Sequence, residues 1–223
     1  MRRLLIFVKH PVPGRVKTRL ASSIGAPAAC EVSRLCAELT LARLGGFRPE
    51  AVLCVDPPSA LGAVAAWVGP EWRLAPQIGE HLGARLAHAT TDAFRQGASQ
   101  VVVIGTDSPW LRPAEVERAF ALLDCADLVL GPAEDGGYYL VGLSAPAPAV
   151  FEGVAWGSPQ VCAETQANAG RLALRVSLLP PGYDLDHLAD VHRFIDAERR
   201  RGPVSAAVEA MAAVSERRSA CPS

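Results

Sequence analysis

Four basic side chains follow the first apolar run of the chain, in a loop rich in proline and glycine. The run Leu4–Val8 is typical of a buried strand, and the basic residues after it are Lys9, Arg15, Lys17 and Arg19. A loop at the carboxyl end of such a strand lies where α/β folds bind ligands. Cationic side chains and free backbone N–H groups there stabilise anionic oxygens, which favours a polyphosphate ligand. A solvated surface loop would carry the same charges, so other segments must decide.

Three residues restrict the path of this loop. Pro11 and Pro13 fix a backbone φ angle, and Gly14 permits a tight turn. A loop with few accessible conformations loses little entropy when it binds a ligand. We therefore expect Pro13 and Gly14 to shape the phosphate-binding segment.

Two acidic residues each follow a predicted strand, on the side where the basic loop should lie. Asp107 comes directly after the apolar segment 101–105, and Asp186 precedes the last long predicted helix. Carboxylate oxygens suit Mg²⁺, which usually takes only one or two ligands from the protein. Local roles are the alternative, with Asp107 as a turn residue and Asp184 or Asp186 as a helix N-cap. Together with the basic loop, the pair predicts a metal and polyphosphate site at the mouth of the sheet.

A segment that joins two predicted strands is the candidate for binding an acceptor. It reads Glu134, Asp135, Gly136, Gly137, Tyr138, and its Asp-Gly pair also predicts a tight hairpin turn. Adjacent glycines allow a backbone to approach a ligand closely. We expect Glu134 or Asp135 to hold an acceptor hydroxyl or to add to the metal site, and the turn is compatible with either role.

The predicted helix that begins at Gly83 supplies two further candidates. Gly83 and the amides of the first helical turn would pack against a nucleoside, and Arg85 would reach a phosphate. Trp156 lies in a loop with glycine, serine and proline, where it is part of the core or of a lid.

The composition is that of an ordinary globular domain. The chain has 223 residues, a formal net charge of −1 and 50% hydrophobic residues. The N-terminal apolar run is too short for a secretory signal, and no run reaches transmembrane length. The six cysteines show no C-x-x-C pair and no zinc-ligand cluster. We expect reduced thiols, a cytoplasmic location, and neither nucleic acid nor a membrane as partner.

Short apolar runs alternate with longer helical patterns, which predicts an α/β fold. Strands are predicted at Leu4–Val8, Ala51–Val55, 101–105, Asp127–Leu130, Tyr138–Leu143 and Leu172–Leu179. A short helix is predicted through Trp67. Longer helices are predicted at Ala28–Leu44, Gly83–Arg95, Ala114–Leu123, Pro159–Ala169 and Leu188–Arg200. We expect a single domain over residues 1–200, with a mostly parallel sheet and helices on both faces. A helical extension and tail should occupy residues 201–223.

Five motifs together carry a resemblance to a known superfamily. In chain order they are Lys9–Leu20, Gly105–Pro109, Gly131–Tyr139, Trp156–Pro159 and Asp184–Asp186. This ordered set resembles the GT-A-fold nucleotide-diphospho-sugar transferases, which have a Rossmann-like fold. More narrowly, it is similar to the bacterial arsenosugar-biosynthesis glycosyltransferases, also called radical-SAM/selenodomain-associated transferases. The first motif also resembles that of the phospholactate guanylyltransferases and of the molybdenum-cofactor nucleotidyltransferases.

The resemblance implies roles for the basic loop and for the two acidic residues. In such enzymes the opening loop holds the triphosphate, which would fall here on Arg15, Lys17 and Arg19. The aspartate after the central strand binds metal there and corresponds to Asp107. Asp186 corresponds to the late aspartate that completes the metal site, so the implied cofactor is Mg²⁺ or Mn²⁺.

The residue pattern after the central strand bears on which reaction is expected. GT-A glycosyltransferases usually have D-x-D at the position of Asp107, whereas this chain has Asp107-Ser108-Pro109. We therefore favour nucleotidyl transfer from an NTP to a small acceptor with release of pyrophosphate, with Arg15, Lys17 and Asp107 as catalytic residues. Glycosyl transfer from an NDP-sugar is the alternative, and a nucleotide-binding module without turnover is the third possibility.

Overall fold

The computed structural model of the chain describes residues 1–216. These residues form two compact units. The first unit comprises Met1–His10, Leu44–Gly105 and Leu111–Tyr183, and the second comprises Pro11–Arg43, Thr106–Trp110 and residues 184–216. Cys221 and the end of the predicted tail lie outside the described residues.

The first unit is built on a seven-stranded sheet with the strand order β3-β2-β1-β4-β6-β5-β7. In chain order the strands are β1 (Arg2–Lys9), β2 (Ala51–Asp56), β3 (Arg73–Pro76), β4 (Gln100–Ile104), β5 (Leu128–Pro132), β6 (Tyr138–Leu143) and β7 (Val176–Leu178). All neighbouring pairs are parallel except those of β6, which runs antiparallel to β4 and β5. The predicted α/β class with a mostly parallel sheet is confirmed.

Four helices belong to the first unit, and the chain signals their ends. They are α3 (Leu61–Val68), α4 (Leu82–Arg95), α5 (Pro113–Leu122) and α6 (Val161–Arg171). Pro113 is the first residue of α5. Proline has no backbone N–H, and at this position the N–H would have no partner within the helix. Gly97 follows α4 with φ +89°. Helices commonly end at a residue with positive φ, and glycine adopts this conformation without steric cost. Leu86 and Ala93 of α4 join the apolar core that contains Val103 and Leu130 of the sheet.

Up to residue 216, the second unit contains four α-helices and no strand. They are α1 (Thr18–Ile24), α2 (Ala26–Arg43), α7 (Leu188–Arg201) and α8 (Ala206–Ser215). Helix α2 packs against α1 and α8, and α7 packs against α8. Leu35 of α2, Phe194 of α7 and Met211 of α8 are fully or almost fully buried. No helix within residues 1–216 is long and apolar enough to cross a membrane.

Three elements differ from the prediction, each for a local reason. Strand β3 was not predicted because Arg73–Pro76 is a short edge strand that ends in proline. Helix α1 has only seven residues, too few to show a helical period. Strand β7 starts later than Leu172 because α6 continues to Arg171 and Ala173 then turns the backbone at φ +55°.

Candidate functional site

Lys9, which was predicted to lie in the basic loop, is instead the last residue of β1 in the first unit. The rest of the basic loop begins the second unit with a tight turn at its proline and glycine. The backbone N–H of Arg15 donates to the carbonyl of Val12 at 2.9 Å, which closes a four-residue turn. Gly14 has φ +78°, the value that the third position of a type II turn requires, and Pro13 suits the second position. The turn leaves the Arg15 side chain exposed, without a hydrogen bond or ion pair to any residue between 1 and 216.

Lys17 is the centre of the acidic and basic cluster in this unit. Its side chain is only 2% exposed, and its Nζ lies 2.5 Å from Oδ1 of Asp107 and 3.4 Å from Oδ1 of Asp186. Arg19 adds a second cation, with Nη1 at 3.0 Å from Oδ2 of Asp186. One buried ammonium group therefore bridges two carboxylates that are 79 positions apart in the chain.

The backbone of Lys17 is in an unfavourable conformation. With φ 47° and ψ 45° it is left-handed, and it is the N-cap of α1. For a residue with a side chain this conformation costs about 1–2 kcal/mol. Such strain persists where the surroundings determine the conformation, and it is common at functional sites. Here it directs a charged side chain inward from the loop.

Electrostatic attraction maintains the charge of the buried ammonium. Burial by itself would lower the pKa of Lys17, because desolvation disfavours the charged form. The negative charges of Asp107 and Asp186 and the hydrogen bond to Asp107 outweigh this effect, and the pKa is raised above its ordinary value. Lys17 is therefore a cation throughout the physiological pH range.

A third carboxylate, Asp184, lies in the same cluster. The hydroxyl of Ser108 donates a hydrogen bond to its Oδ1. Burial and the nearby charge of Asp107 raise the pKa of Asp184 to about 6. The sequence offered Asp184 as an alternative N-cap and as part of one motif, but its partial burial and its bond to Ser108 were not visible there.

Backbone contacts hold the two acidic segments in place. The N–H of Leu185 donates to the carbonyl of Asp107 at 2.9 Å. His187 is the N-cap of α7, and Oδ2 of Asp190 in the first turn of the helix accepts from its backbone N–H at 2.7 Å. Neither Asp184 nor Asp186 is the N-cap, so the local alternative for these residues does not hold.

In the first unit, Glu134–Gly137 forms the predicted turn between β5 and β6, and Tyr138 is the first residue of β6. Oδ1 of Asp135 accepts from the N–H of Gly137 at 2.9 Å. Gly136 has φ +87°, and a Cβ there would lie 2.0 Å from the carbonyl oxygen of Pro159, so only glycine fits. The side chains of Glu134 and Asp135 belong to exposed residues. Their acceptor role stays a prediction.

Tyr138 differs from the turn residues that precede it. Its ring lies edge-on to Trp156, with ring centroids 6.3 Å apart. Its hydroxyl is buried beside Thr165, and burial raises the pKa of that phenol. Tyr138 thus packs in the core of the first unit, where its hydroxyl is not presented at the surface.

The candidates on α4 are held by neighbours in the first unit. A Cβ on Gly83 would lie 2.4 Å from Nε1 of Trp156, so glycine is needed for the close approach of that indole ring. Arg85 is paired with Asp56 at 3.0 Å, and its Nε donates to the carbonyl of Gly79 at 3.0 Å. Any phosphate contact of Arg85 would compete with these two bonds.

The structure thus brings Lys17, Arg19, Asp107 and Asp186 into direct contact in the second unit. Pro13, Gly14 and Arg15 belong to the same unit, whereas Lys9, Gly83, Arg85 and Glu134–Tyr138 belong to the first unit. Within residues 1–216 no group of three or more histidine, cysteine, aspartate or glutamate side chains is arranged to hold a metal ion.

Among solved structures, a protein of Desulfovibrio desulfuricans G20 is similar over almost its whole length. It has been provisionally described as a nucleotide-diphospho-sugar transferase, is 33% identical and has a TM-score of 0.86, with 96% of each chain covered. Two more distant structures share the fold, which confirms the predicted Rossmann-like architecture. A nucleotidyl transferase from Methanothermobacter thermautotroptrophicus is 14% identical, with a TM-score of 0.57 over 90% of this chain and 99% of the other. A CMP:2-keto-3-deoxy-manno-octonic acid synthetase in complex with CTP is 13% identical, with a TM-score of 0.55 over 90% and 99%.

At the level of sequence families, the match covers more than half of the chain. No curated protein matches the sequence. The model of DUF2064, a family described as uncharacterized proteins conserved in bacteria, matches residues 40–158. On this match, the chain belongs to the DUF2064 family.

Proposed function

We propose that the chain is a divalent-metal-dependent nucleotidyltransferase, which moves a nucleotidyl group from an NTP to a small acceptor and releases pyrophosphate. The observation that supports this most directly is the Lys17 ammonium, buried between Asp107 and Asp186 on a strained backbone. Opposite charges are already paired at this point in the free protein. A metal–triphosphate complex would satisfy the same charges, because the metal cation would contact the carboxylates and the phosphate oxygens would contact the ammonium.

The two carboxylates fit a hard divalent cation. Oxygens of Asp107 and Asp186 both contact one nitrogen, so they lie close enough to contact one ion. Mg²⁺ and Mn²⁺ prefer oxygen ligands, and Mg²⁺ commonly takes one or two from protein and the rest from phosphate and water. When bound, the metal would neutralise charge on the reacting phosphate.

The basic side chains would bind the phosphates. Arg15 is exposed and unpaired among residues 1–216, so it can bind an anion without first breaking an ion pair. Lys17 and Arg19 would exchange carboxylate partners for phosphate oxygens. Positive charge at the β- and γ-phosphates stabilises the leaving pyrophosphate, and phosphoryl chemistry of this kind depends mainly on positioning and electrostatics.

Glycosyl transfer from an NDP-sugar is the second candidate function. One observation favours it, the description of the Desulfovibrio relative as a nucleotide-diphospho-sugar transferase. In this case the same residues would hold the diphosphate of the donor. The narrower resemblance to arsenosugar-biosynthesis glycosyltransferases belongs to this candidate.

Ligand-dependent melting tests whether a nucleotide binds at all. NTPs and NDP-sugars are compared with and without Mg²⁺, and the bound class is then analysed for released pyrophosphate or NDP. A ligand at 100 times its Kd stabilises the native state by about 2.7 kcal/mol. For a chain of this size that corresponds to roughly 5–10 °C in Tm. Binding with Mg²⁺ but without turnover against any acceptor would favour a non-catalytic module.

Substitutions connect the activity to the cluster. Asp107→Asn should lower turnover by about 10²–10³-fold, since one preorganised charge of this kind contributes about 3–4 kcal/mol to lowering the barrier. Asp196→Asn, on the exposed face of α7, is the matched control and should leave turnover unchanged. Arg15→Ala should be as damaging as Asp107→Asn. Near-normal turnover in Asp107→Asn would refute the metal-binding role.

A further inference from the structure

A cavity of about 290 Å³ lies in the first unit, among residues of α4 and of strands β1, β2 and β3. Its apolar lining includes Leu5, Val52, Leu74 and Ala89. The volume is near the lower end of the range for sites that bind small molecules. None of the candidate residues of the nucleotide site lines it.

Arg3, at the start of β1, is buried in the wall of this cavity. The residue is 4% exposed, and its Nε is buried without a hydrogen-bond partner within residues 1–216. Its side chain forms no ion pair with any described residue. Its neighbour Arg2 is a clear contrast, since Nη1 lies 2.7 Å from Glu117 and the guanidinium stacks on Phe120.

An unpaired buried guanidinium requires an explanation. Charged groups are very rarely buried without a partner, because the loss of hydration is strongly unfavourable. Arginine offers five N–H donors in a planar fork that matches the two oxygens of a carboxylate or phosphate. A cavity with such a group in its wall has the polar anchor of an anion site.

The other charged groups of the cavity do not compensate Arg3. Arg73 and His88 also line it, and both are exposed residues. Asp92 is the one acidic lining residue, and its Oδ2 accepts a hydrogen bond from Gln96 at 2.7 Å. Two arginines and one carboxylate leave the cavity with an excess of positive charge.

We propose that this cavity binds a small amphipathic anion. The oxyanion head, a carboxylate or a phosphate, would pair with Arg3. The apolar body would lie against Leu5, Val52, Leu74 and Ala89. The proposal is independent of the nucleotide site, and it assigns the cavity a ligand class that no part of the nucleotidyl transfer requires.

Matched six-carbon probes test the proposal by calorimetry on the full chain. Hexanoate and hexyl phosphate supply the two head groups, and 1-hexanol supplies the same body without charge. We expect at least one anion to bind, at least 10 times more tightly than 1-hexanol, and the stronger one identifies the preferred head group. If neither anion binds more tightly than 1-hexanol, the proposal is overturned.

Substitutions at the two neighbouring arginines provide the control. Arg3→Met should weaken binding of the anion by about 10- to 100-fold, as expected for lost hydrogen bonds to a charged group. Arg2→Met should leave binding unchanged, because Arg2 does not line the cavity. Arg3→Met should also raise the Tm of the ligand-free protein, since it removes an unpaired buried charge. Equal binding in wild type and Arg3→Met would refute the role of Arg3.

A second variant makes the test independent of Arg3. Ala89→Trp fills the cavity from α4 and should abolish anion binding while Arg3 stays in place. Undiminished binding in Ala89→Trp would place the anion elsewhere and contradict the proposal.

Discussion

Lys17→Met removes the cation that Asp107 and Asp186 share and retains almost the same side-chain length. Methionine at φ 47° is as strained as lysine there, so the strain cancels in the comparison and the substitution isolates the charge. The Lys17 side chain is 2% exposed, whereas those of Asp107 and Asp186 are 55% and 32% exposed. After the substitution, water can therefore solvate both carboxylates in part.

The expected loss of stability follows from these exposures. Removing one partner of a fully buried ion pair costs about 3–5 kcal/mol, and exposed pairs contribute about 0–1 kcal/mol. With a buried cation and half-exposed anions, we expect an intermediate loss of about 1–3 kcal/mol. For a chain of this size each kcal/mol lowers Tm by about 2–4 °C. Lys9→Met is the matched control, because the exposed Lys9 should contribute less than about 0.5 kcal/mol.

Added Mg²⁺ then separates a metal site from a purely structural ion pair. In wild type a metal ion must compete with the Lys17 ammonium for the carboxylates. In Lys17→Met the carboxylates have lost that cation, so millimolar Mg²⁺ should raise Tm more than it does in wild type. Thermal melting with and without Mg²⁺ measures both effects. Equal Mg²⁺ shifts in wild type and variant, or an unchanged Tm in Lys17→Met, would refute the reasoning.

Two further predictions concern packing in each unit. Gly157→Ala, at φ +86° in open space, should lower the free energy of unfolding in urea by about 1–2 kcal/mol. Gly136→Ala has a similar φ of +87° but also meets the Pro159 carbonyl, so it should lower that free energy by at least about 1 kcal/mol more. Equal losses in the two variants would contradict the close contact at Gly136. Burial raises the pKa of the Cys36 thiol to about 12, so at pH 8 only about one part in 10⁴ is thiolate. Iodoacetamide should alkylate the exposed Cys125 far sooner, and equal rates by mass spectrometry would show that Cys36 is not buried.

Local structure could be predicted from the sequence where a residue type or a run of residues strongly favours one conformation or one position in the fold. Pro13 and Gly14 predict a turn because one fixes φ and the other permits a positive φ, and the turn is present. The apolar segment 101–105 predicts a central strand because a parallel strand is buried on both faces, and β4 occupies that place. Such signals are local, so they do not depend on the rest of the fold.

The arrangement of charges could not be predicted in the same way. The sequence placed Lys17, Asp107 and Asp186 near one another but gave no indication that they pair in the free protein. Nor did it indicate that Asp184 is half-buried beside Ser108. Ion pairing and burial depend on side-chain direction, which for Lys17 follows from a left-handed backbone that is rare outside glycine. No propensity of lysine predicts that conformation.

The position of Asp184 also bears on the choice between the two proposed reactions. The sequence favours nucleotidyl transfer because Asp107 lacks the second acid of a D-x-D pattern. The structure brings another carboxylate to the same cluster from a distant segment, since Asp184 bonds to Ser108 and interacts with Asp107. The sequence pattern after β4 therefore shows fewer acidic residues than the cluster contains. The absence of the second aspartate of D-x-D is then a weaker reason to favour nucleotidyl transfer. The basic loop is the stronger argument, because three cations within residues 15–19 match the charge of a triphosphate better than that of a sugar-linked diphosphate.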